Sequence, residues 1–126
     1  IVVRLVGSEM CIRDSPQGNY IRPADSKPYL VIGEVKYGKP ILDRVITPKV
    51  SIGDASRCAL ISMDSTLKSD LTVGPPIDFA VIKKDEIKIA SLKCLNMNDP
   101  EFSKVCNQWS QGIFKIFDSF QRFDWE

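Results

Sequence analysis

The sequence predicts an α+β fold with an antiparallel sheet, and three observations lead to that prediction. Short runs of apolar, β-branched and aromatic residues at 29–32, 77–82 and 86–89 are typical of strands. Longer segments at 51–71 and 99–120 repeat apolar residues at helical spacing. The order of strands, two helices, a hairpin and a last helix is the pattern of an α+β domain whose strands pair antiparallel.

The composition is that of an ordinary globular chain. The 126 residues make one domain at most, or part of one, and 44% of them are hydrophobic while 26% are charged. Seventeen basic and sixteen acidic residues leave a net charge of +1, so charge provides no reason to expect nucleic acid or an anionic membrane as a partner. No apolar run approaches the ~20 residues that span a bilayer, and no secretory signal pattern is visible.

Cysteine and histidine usage narrows the possible chemistry. The cysteines, Cys11, Cys58, Cys94 and Cys106, show no C-x-x-C spacing, and the chain contains no histidine. The sequence therefore contains no zinc-site pattern, and we expect no metal and no cofactor. Nucleophile activation by a Ser-His-Asp or Cys-His arrangement is impossible within this chain. We expect buried, reduced thiols in a cytoplasmic protein.

The first residues of the chain do not continue the pattern of the rest. Segment 8–15, Ser-Glu-Met-Cys-Ile-Arg-Asp-Ser, resembles the translation of a sequencing or cloning adapter. We therefore predict that 1–15 is an adapter-derived or disordered segment and that the domain occupies 16–126. The alternative is a native N-terminal strand, for which the sequence indicates no partner.

A turn bounded by Gly33 and Gly38 joins a strand to a short helix, and the rest of the chain is organised around it. The two glycines permit backbone conformations, or a close approach by another segment, that a side chain would block. The strand is predicted at 29–32, after a shorter strand at 18–23. Pro40 is well placed as a first helical residue. From spacing alone, a plain strand-to-helix connection remains an interpretation of this stretch.

A second helix is predicted to begin after Ser51. Ser51 is a good N-cap, and Asp54 places negative charge on the first turn. Arg57, Asp64 and Lys68 fall mostly away from the apolar stripe. The residues of that stripe recur at helical spacing: Ile52, Ala55, Cys58, Ala59, Met63, Leu67 and Leu71.

The last third of the chain predicts a hairpin followed by a third helix. The hairpin strands are 77–82 and 86–89, with 83–85 as the turn. Asp99 is the predicted N-cap of the helix and Pro100 its first residue. A wide apolar and aromatic stripe on this helix must be covered by a sheet or by a neighbouring subunit. Its members are Phe102, Val105, Cys106, Trp109, Ile113, Ile116, Phe117 and Phe120.

Catalytic-looking motifs are present, but their context is weak. Ser65 and Lys68 match the S-x-x-K of serine acyl-enzymes. The companion motifs of those enzymes, S-D-N and K-T-G, have only partial matches here, at 69–70 and 36–38, and these stand in the wrong order. S-x-x-K is also common on helix surfaces by chance. Two charged pairs are better explained as solvated ion pairs of small value: Glu34 with Lys36, and Lys39 with Asp43.

Four collinear segments carry a resemblance to a known family. Residues 33–44, Gly-Glu-Val-Lys-Tyr-Gly-Lys-Pro-Ile-Leu-Asp-Arg, resemble the hallmark of bacterial proteasome-type peptidases of the Anbu (ancestral beta subunit) family. Segments 58–66, 73–78 and 108–112 resemble the family's penultimate helix, its turn into a strand and its last helix. The resemblance covers residues 18–126.

The resemblance implies a fold and an activity. The family's proteins are N-terminal nucleophile hydrolases with an αββα sandwich, in which a threonine or serine at the mature N-terminus attacks the peptide carbonyl. Its own α-amine acts as the base, which suits a chain without histidine. The nucleophile, its lysine and its first aspartate belong to the family's N-terminal half, so 16–126 resembles the C-terminal part only.

The resemblance carries few site residues to this chain. Gly33 and Glu34 stand where proteasome subunits have a Gly-Ser turn beside the active site, with Glu34 in place of the serine. Asp70 stands where an aspartate supports the nucleophile's amine, whereas Val73 replaces the supporting serine. From the residues alone, Asp70 is equally a solvated carboxylate near the end of a helix.

Taken together, these inferences predict a fragment of a proteasome-related, threonine-type endopeptidase that lacks the nucleophile and is inactive alone. The expected partners are identical subunits in a ring or open spiral and, for the intact protein, a peptide or unfolded protein substrate, with no nucleic acid and no membrane. The alternative is a small non-catalytic assembly or binding module of α+β fold that uses the turn at Glu34 and Lys36.

Overall fold

The computed structural model describes residues 2–3, 23–33, 35–83 and 89–125. Four strands and three helices are present in these ranges: β1 (Val2–Val3), β2 (Tyr29–Leu30), α1 (Lys39–Val45), α2 (Ile52–Ser69), β3 (Ile77–Ile82), β4 (Ile89–Leu95) and α3 (Pro100–Asp118). The predicted α+β class with antiparallel strand pairing is confirmed.

The strands form two antiparallel pairs. β1 pairs with β2, and Val2 lies opposite Leu30. The N-terminal residues thus have a strand partner that the sequence did not indicate, while the origin of 1–15 stays a prediction. The strand predicted at 29–32 is shorter than expected, and most of the one predicted at 18–23 lies outside the described residues.

The predicted hairpin is present, and its second strand extends further along the chain than predicted. β3 pairs with β4 from Ile77 opposite Leu95 to Ile82 opposite Ile89, with a bulge between Val81 and Ile82. Of the strand predicted at 86–89, Ile89 lies in β4 and 86–88 lie outside the described residues, while the continuation of the strand to Leu95 was not predicted. β4 shows little alternation of buried and exposed residues, so its place is set by backbone pairing with β3 rather than by its own side chains.

Helix α2 lies between two hydrophobic cores. On one side, Tyr29 of β2, Leu42 of α1 and Ile46 of the following loop pack against Ala55 and Cys58 of α2. On the other side, the hairpin and α3 supply the second core: Ile77, Leu95, Phe102 and Cys106, with Leu60, Met63 and Leu67 of α2 partly buried against them. Two opposite faces of α2 are thus apolar, as expected for a helix covered on both sides.

The helix starts agree with the predicted caps. The Asp54 N–H donates to Ser51 Oγ over 3.1 Å at the start of α2. The N–H groups of Glu101 and Phe102 donate to Asp99 Oδ1 over 3.0 Å at the start of α3. Pro40 and Pro100 occupy the first turns of α1 and α3. These local signals are confirmed because a cap depends only on the residues of one turn.

Burial along α2 departs from the predicted stripe at both ends and in the middle. Leu71 is fully exposed and Ile52 is 38% exposed, because α2 ends at Ser69 and its first turn extends beyond the core. Asp64, predicted on the polar side, is only 2% exposed. Its Oδ2 accepts a hydrogen bond from Lys68 Nζ over 2.9 Å, so the buried charge is paired.

Helix α3 is covered over its first half only. Phe102 and Cys106 are buried, but every residue from Ile113 to Trp125 is exposed. Among the residues that the structure describes, the predicted stripe is therefore covered at its N-terminal end alone. No helix in the described part of the chain is long and apolar enough to cross a membrane.

The three described cysteines are free thiols in different environments. Cys58 and Cys106 are buried, as predicted, and burial raises the pKa of each thiol to about 11. Cys94 lies on the exposed side of β4, so the prediction of burial was wrong for it. Cys11 lies outside the described residues.

Candidate functional site

The turn before α1 packs closely against α2 at Gly38. Gly38 is buried and has helical backbone angles, φ −90° and ψ −29°. A Cβ atom built on it would lie 2.2 Å from Ser62 Oγ, 3.0 Å from the Ser62 carbonyl oxygen and 3.2 Å from Thr66 Oγ1. Glycine at this position therefore serves the close approach of two segments rather than an unusual dihedral angle.

The groups of α2 that face Gly38 are polar and buried. Ser62 is fully buried, and its hydroxyl has no hydrogen-bond partner among the described residues. The Thr66 hydroxyl donates to the Ser62 carbonyl oxygen over 3.0 Å. A buried hydroxyl without a partner costs free energy of folding, so this contact is stabilised by the packing around it and not by its own polar groups.

Gly33 lies at the other end of the turn and needs glycine for a different reason. Its φ of +85° is in the left-handed region, and nothing lies within 4 Å of a Cβ built there. The requirement is conformational. Glu34, the other residue of the predicted near-site turn, lies outside the described residues.

Asp70 forms the C-terminal cap of α2. Its N–H donates to the Thr66 carbonyl oxygen over 2.8 Å. Its Oδ1 accepts hydrogen bonds from the Thr72 N–H over 2.9 Å and from Thr72 Oγ1 over 2.7 Å. These bonds, first of all the one from the Thr72 hydroxyl, lower the pKa of Asp70, and the charge of Lys36 adds to the effect. Asp70 is thus an ionised carboxylate held in a tight turn.

Two of the predicted site segments adjoin the same part of α2. Gly38 of the turn packs on Ser62 and Thr66, and Thr66 accepts the N–H of Asp70. Lys36, also in the turn, contributes charge at Asp70. A Cβ atom built on Gly33, in contrast, would meet nothing within 4 Å. The catalytic support expected of Asp70 stays a prediction, since both its side-chain partners here belong to its own turn.

A separate cluster of four polar side chains joins α1 to β2 and to the residues just before it. Asp43 Oδ1 accepts hydrogen bonds from Tyr29 OH over 2.5 Å and from Lys27 Nζ over 2.8 Å. Lys39 Nζ donates to both carboxylate oxygens of Asp43, over 3.0 and 2.9 Å, and to Tyr29 OH over 2.9 Å. The expected ion pair of Lys39 and Asp43 is therefore one edge of a larger network.

The contacts within the network shift the pKa values of three of its members. Hydrogen bonds from Lys27, Tyr29 and Lys39 hold the pKa of Asp43 far below its usual range. Burial, followed by the hydrogen bond to Asp43, raises the pKa of Tyr29, and the bond to Tyr29 raises that of Lys39. Both lysines are about half exposed, so solvent screens the pairs and the cluster is best described as structural.

The S-x-x-K match does not form a nucleophile and base pair. Ser65 Oγ donates to the Ile61 carbonyl oxygen over 3.1 Å, while Lys68 Nζ donates to Asp64 and to Ser110 Oγ. Each group is thus engaged elsewhere. Among the described residues, no group of three or more Cys, Asp and Glu side chains is placed to hold a metal ion.

Sequence reasoning missed two features of this region. Tyr29 joins Lys39 and Asp43 although it lies 14 residues before Asp43, and only the i,i+4 spacing of the charged pair was visible in the sequence. The contact of Gly38 with Ser62 was also missed. The one signal was glycine just before a proline-started helix, which permits a close approach but does not identify the neighbour.

The chain is similar in structure to solved Anbu proteins, and each of the following similarities extends over 86% of this chain. Anbu from Hyphomicrobium sp. strain MC1 matches with 40% identity and a TM-score of 0.81. Anbu (ancestral beta-subunit) from Yersinia bercovieri matches with 39% identity and a TM-score of 0.82. A helical assembly of the Anbu complex from Pseudomonas aeruginosa contains a chain that matches with 39% identity and a TM-score of 0.80.

The similarity covers only part of each neighbour. The chain spans 47% of the Hyphomicrobium and Yersinia proteins and 45% of the Pseudomonas protein, about half of the structures that it matches. No family model matches the sequence. No curated protein matches it either.

Proposed function

Because this is a partial Anbu-like chain, we propose that it is a fragment of a proteasome-related peptidase subunit and contributes scaffold rather than nucleophile. In the intact subunit, an N-terminal threonine or serine outside this chain hydrolyses peptide bonds. The observation that carries the proposal is the similarity itself, 39–40% identity at a TM-score of about 0.8 over 86% of this chain and about half of its neighbours.

The proposed chemistry needs no histidine. The N-terminal hydroxyl oxygen forms a bond to the peptide carbonyl carbon while its proton passes to the α-amine. The C–N bond then breaks as the resulting ammonium group gives that proton to the departing peptide amine, and water hydrolyses the ester that is left to release the acid and restore the hydroxyl. The α-amine becomes an ammonium group during this step, so a nearby carboxylate stabilises it. We assign that support to Asp70. Its lowered pKa, caused mainly by the Thr72 hydroxyl, supports the assignment because the carboxylate stays ionised.

The turn at 33–38 is proposed to position this carboxylate. Gly38 packs the turn on Ser62 and Thr66, and Thr66 lies one helical turn before Asp70. Gly33 allows the backbone to change direction with a positive φ, and Glu34 next to it is proposed as part of the near-site turn. By this proposal the present chain alone is inactive, since it contributes the supporting group and not the attacking one.

The test is complementation. The 126-residue chain alone is expected to leave a fluorogenic peptide intact. Mixed with the half of the Yersinia bercovieri Anbu protein that this chain does not match, it is expected to restore the subunit and any hydrolysis. Asp70→Asn is expected to lower that rate about 10²-fold, whereas the exposed control Asp25→Asn leaves it unchanged.

Two results would refute the proposal. Hydrolysis by the chain alone would show that the nucleophile is not missing. Failure of the two halves to associate would remove the basis for calling the chain a fragment. Sequencing the source DNA upstream of the codon for Asp14 tests the same claim independently, since the proposal requires a reading frame that continues into the nucleophile half.

Self-assembly is the second part of the proposal. One of the matched neighbours is a helical assembly, and we propose that identical subunits pack in a ring or open spiral, in the cytoplasm, to act on peptides or unfolded proteins. No role in binding nucleic acid or membranes is proposed. Exposed apolar residues on the hairpin (Ile82, Ile89 and Leu92) and beyond Ile113 favour assembly.

The same exposure also favours the alternative function, a non-catalytic assembly or binding module that uses the turn around Glu34 and Lys36. The complementation assay separates the two, since a module would assemble without supporting hydrolysis. The exposed hairpin face further predicts poor behaviour of the isolated chain. A chain that stays monomeric and soluble even at high concentration would count against this expectation.

A further inference from the structure

The two carboxylate oxygens of Asp70 are in different states. Oδ1 accepts hydrogen bonds from the Thr72 N–H over 2.9 Å and from the Thr72 hydroxyl over 2.7 Å. In the part of the chain that the structure describes, no group donates a hydrogen bond to Oδ2. Because a carboxylate oxygen accepts about two such bonds, Oδ1 is fully occupied and Oδ2 is the oxygen that can accept from a further donor.

The hydroxyl of Thr72 fixes the orientation of this carboxylate. The last torsion of an aspartate side chain is otherwise broad and roughly two-fold, so its two oxygens exchange places easily. Here a rotation of the carboxylate would break both bonds to Oδ1, and the bond from the hydroxyl, at 2.7 Å, is a short, charge-assisted one. Any residue except proline at position 72 would supply the N–H bond, whereas the second bond needs a side-chain donor.

The fold itself does not depend on this hydroxyl. Thr72 is exposed and belongs to neither of the cores that enclose α2. The turn is closed by the backbone, because the Val73 N–H donates to the Asp70 carbonyl oxygen over 3.2 Å. Valine has nearly the shape of threonine, so Thr72→Val removes the hydroxyl bond and leaves the turn in place.

The hydroxyl comes from a different position than the resemblance implies. The resemblance places a supporting serine at position 73, where this chain has Val73, and a valine side chain cannot donate a hydrogen bond. In the structure, the residue before it supplies a side-chain donor to the carboxylate of Asp70.

We propose that Thr72 is a positioning residue of the proposed peptidase reaction: its hydroxyl holds Oδ1 of Asp70 and thereby directs Oδ2 at the ammonium group that forms on the attacking residue. The inference rests on the proposed function, because it requires that Asp70 supports the α-amine. Thr72 touches neither the nucleophile nor the substrate and acts through Asp70 alone. Its contribution is preorganisation, since a carboxylate that is already oriented does not have to turn when the charge develops.

The experiment measures kcat and KM for a fluorogenic peptide in the subunit that the complementation assay reconstitutes. Thr72→Val is expected to lower kcat about tenfold, as for the loss of a hydrogen bond to a charged group, with KM unchanged. Thr72→Ser keeps the hydroxyl and is expected to retain most of the activity. Thr47→Val is the matched control and is expected to leave both constants unchanged, since Thr47 is also exposed and lies in the loop after α1.

A double-mutant cycle with Asp70→Asn separates positioning from a general weakening of the turn. If Thr72 acts through Asp70, adding Thr72→Val to Asp70→Asn causes no further loss of kcat, whereas a weakened turn would lower kcat in both backgrounds. Far-UV circular dichroism confirms that the helices of each variant are intact.

The carboxyl group of Asp70 provides a second measurement that needs no hydrolysis. The bond from the Thr72 hydroxyl is the largest cause of the lowered pKa of Asp70, and Lys36 is the charged group that adds to it. In the 126-residue chain alone, an NMR titration is therefore expected to show a higher pKa of Asp70 in Thr72→Val than in the wild type or Thr72→Ser. An unchanged pKa would show that the hydroxyl does not hold the carboxylate in solution.

The remaining outcomes distinguish this inference from the proposed function. Wild-type kcat in Thr72→Val, a rise in KM alone, or an equal loss in the Asp70→Asn background overturns the role of Thr72 while the peptidase proposal stands. A reconstituted wild type that does not hydrolyse the peptide refutes the proposed function, and the role of Thr72 with it.

Discussion

Gly38→Ala is the substitution with the clearest expected effect, because a single methyl group meets three named atoms. Gly38 has φ −90° and ψ −29°, angles that alanine adopts without strain, so the backbone itself does not oppose the change. The new Cβ would lie 2.2 Å from Ser62 Oγ and 3.0 Å from the Ser62 carbonyl oxygen. Any destabilisation therefore arises from the contacts that the new methyl group makes.

The magnitude follows from how far the neighbours must move. Ser62 Oγ must retreat by about 1 Å to reach ordinary contact, and the fully buried serine has little space for that. Overpacking of this kind costs about 1–3 kcal/mol, and we expect about 2 kcal/mol. Ser62→Ala removes the closest atom, which has no hydrogen-bond partner among the described residues, so alone it changes the free energy of unfolding by less than about 1 kcal/mol.

The assay is urea unfolding followed by far-UV circular dichroism for the wild type, both single variants and the double variant. We expect the double variant to recover about 1 kcal/mol relative to the sum of the singles, beyond the ~0.5 kcal/mol within which distant sites add. Gly74→Ala is the control, since nothing lies within 4 Å of a Cβ built at Gly74. Equal effects of Gly38→Ala and Gly74→Ala, or strict additivity with Ser62→Ala, would refute the reasoning.

Three further predictions follow from single residues. Asp43→Asn should flatten the pH dependence of stability in acid: the folded state lowers the pKa of Asp43, so its stabilising effect is present above the ordinary aspartate pKa and is lost as the pH falls below it. Urea unfolding at a series of pH values checks this, and parallel curves for wild type and variant would contradict it. In a Cys11→Ser background, a thiol reagent should label exposed Cys94 first and reach Cys58 and Cys106, whose pKa values burial raises to about 11, only on unfolding; simultaneous labelling of all three would contradict the described burial. Gly112→Ala should stabilise the chain by about 0.5–1 kcal/mol, because Gly112 lies inside α3 with open space at its Cβ position; a lower urea midpoint would show a neighbour that the described residues do not contain.

Part of the site was accessible from the sequence and part was not. The turn between Gly33 and Gly38, the pair Lys39–Asp43 and the position of Asp70 near the end of α2 were all predicted. The partners were not. Asp70 bonds Thr72 two residues away, a local turn that aspartate favours, whereas Tyr29 reaches Asp43 only because β2 and α1 share a core. Glu34 stays a prediction, since it lies outside the described residues.

The sequence by itself determined where the helices begin and which fold class the chain has. Ser51, Asp99 and Pro100 act on the N–H groups of one turn, so their effect does not depend on the rest of the molecule. Tertiary structure alone decided that Asp64 is buried, that Leu71 is exposed and that β4 continues to Leu95. It also decided that Gly38 meets Ser62. These features depend on the relative position of segments distant in sequence, and the spacing of residues within one segment contains no information about that position.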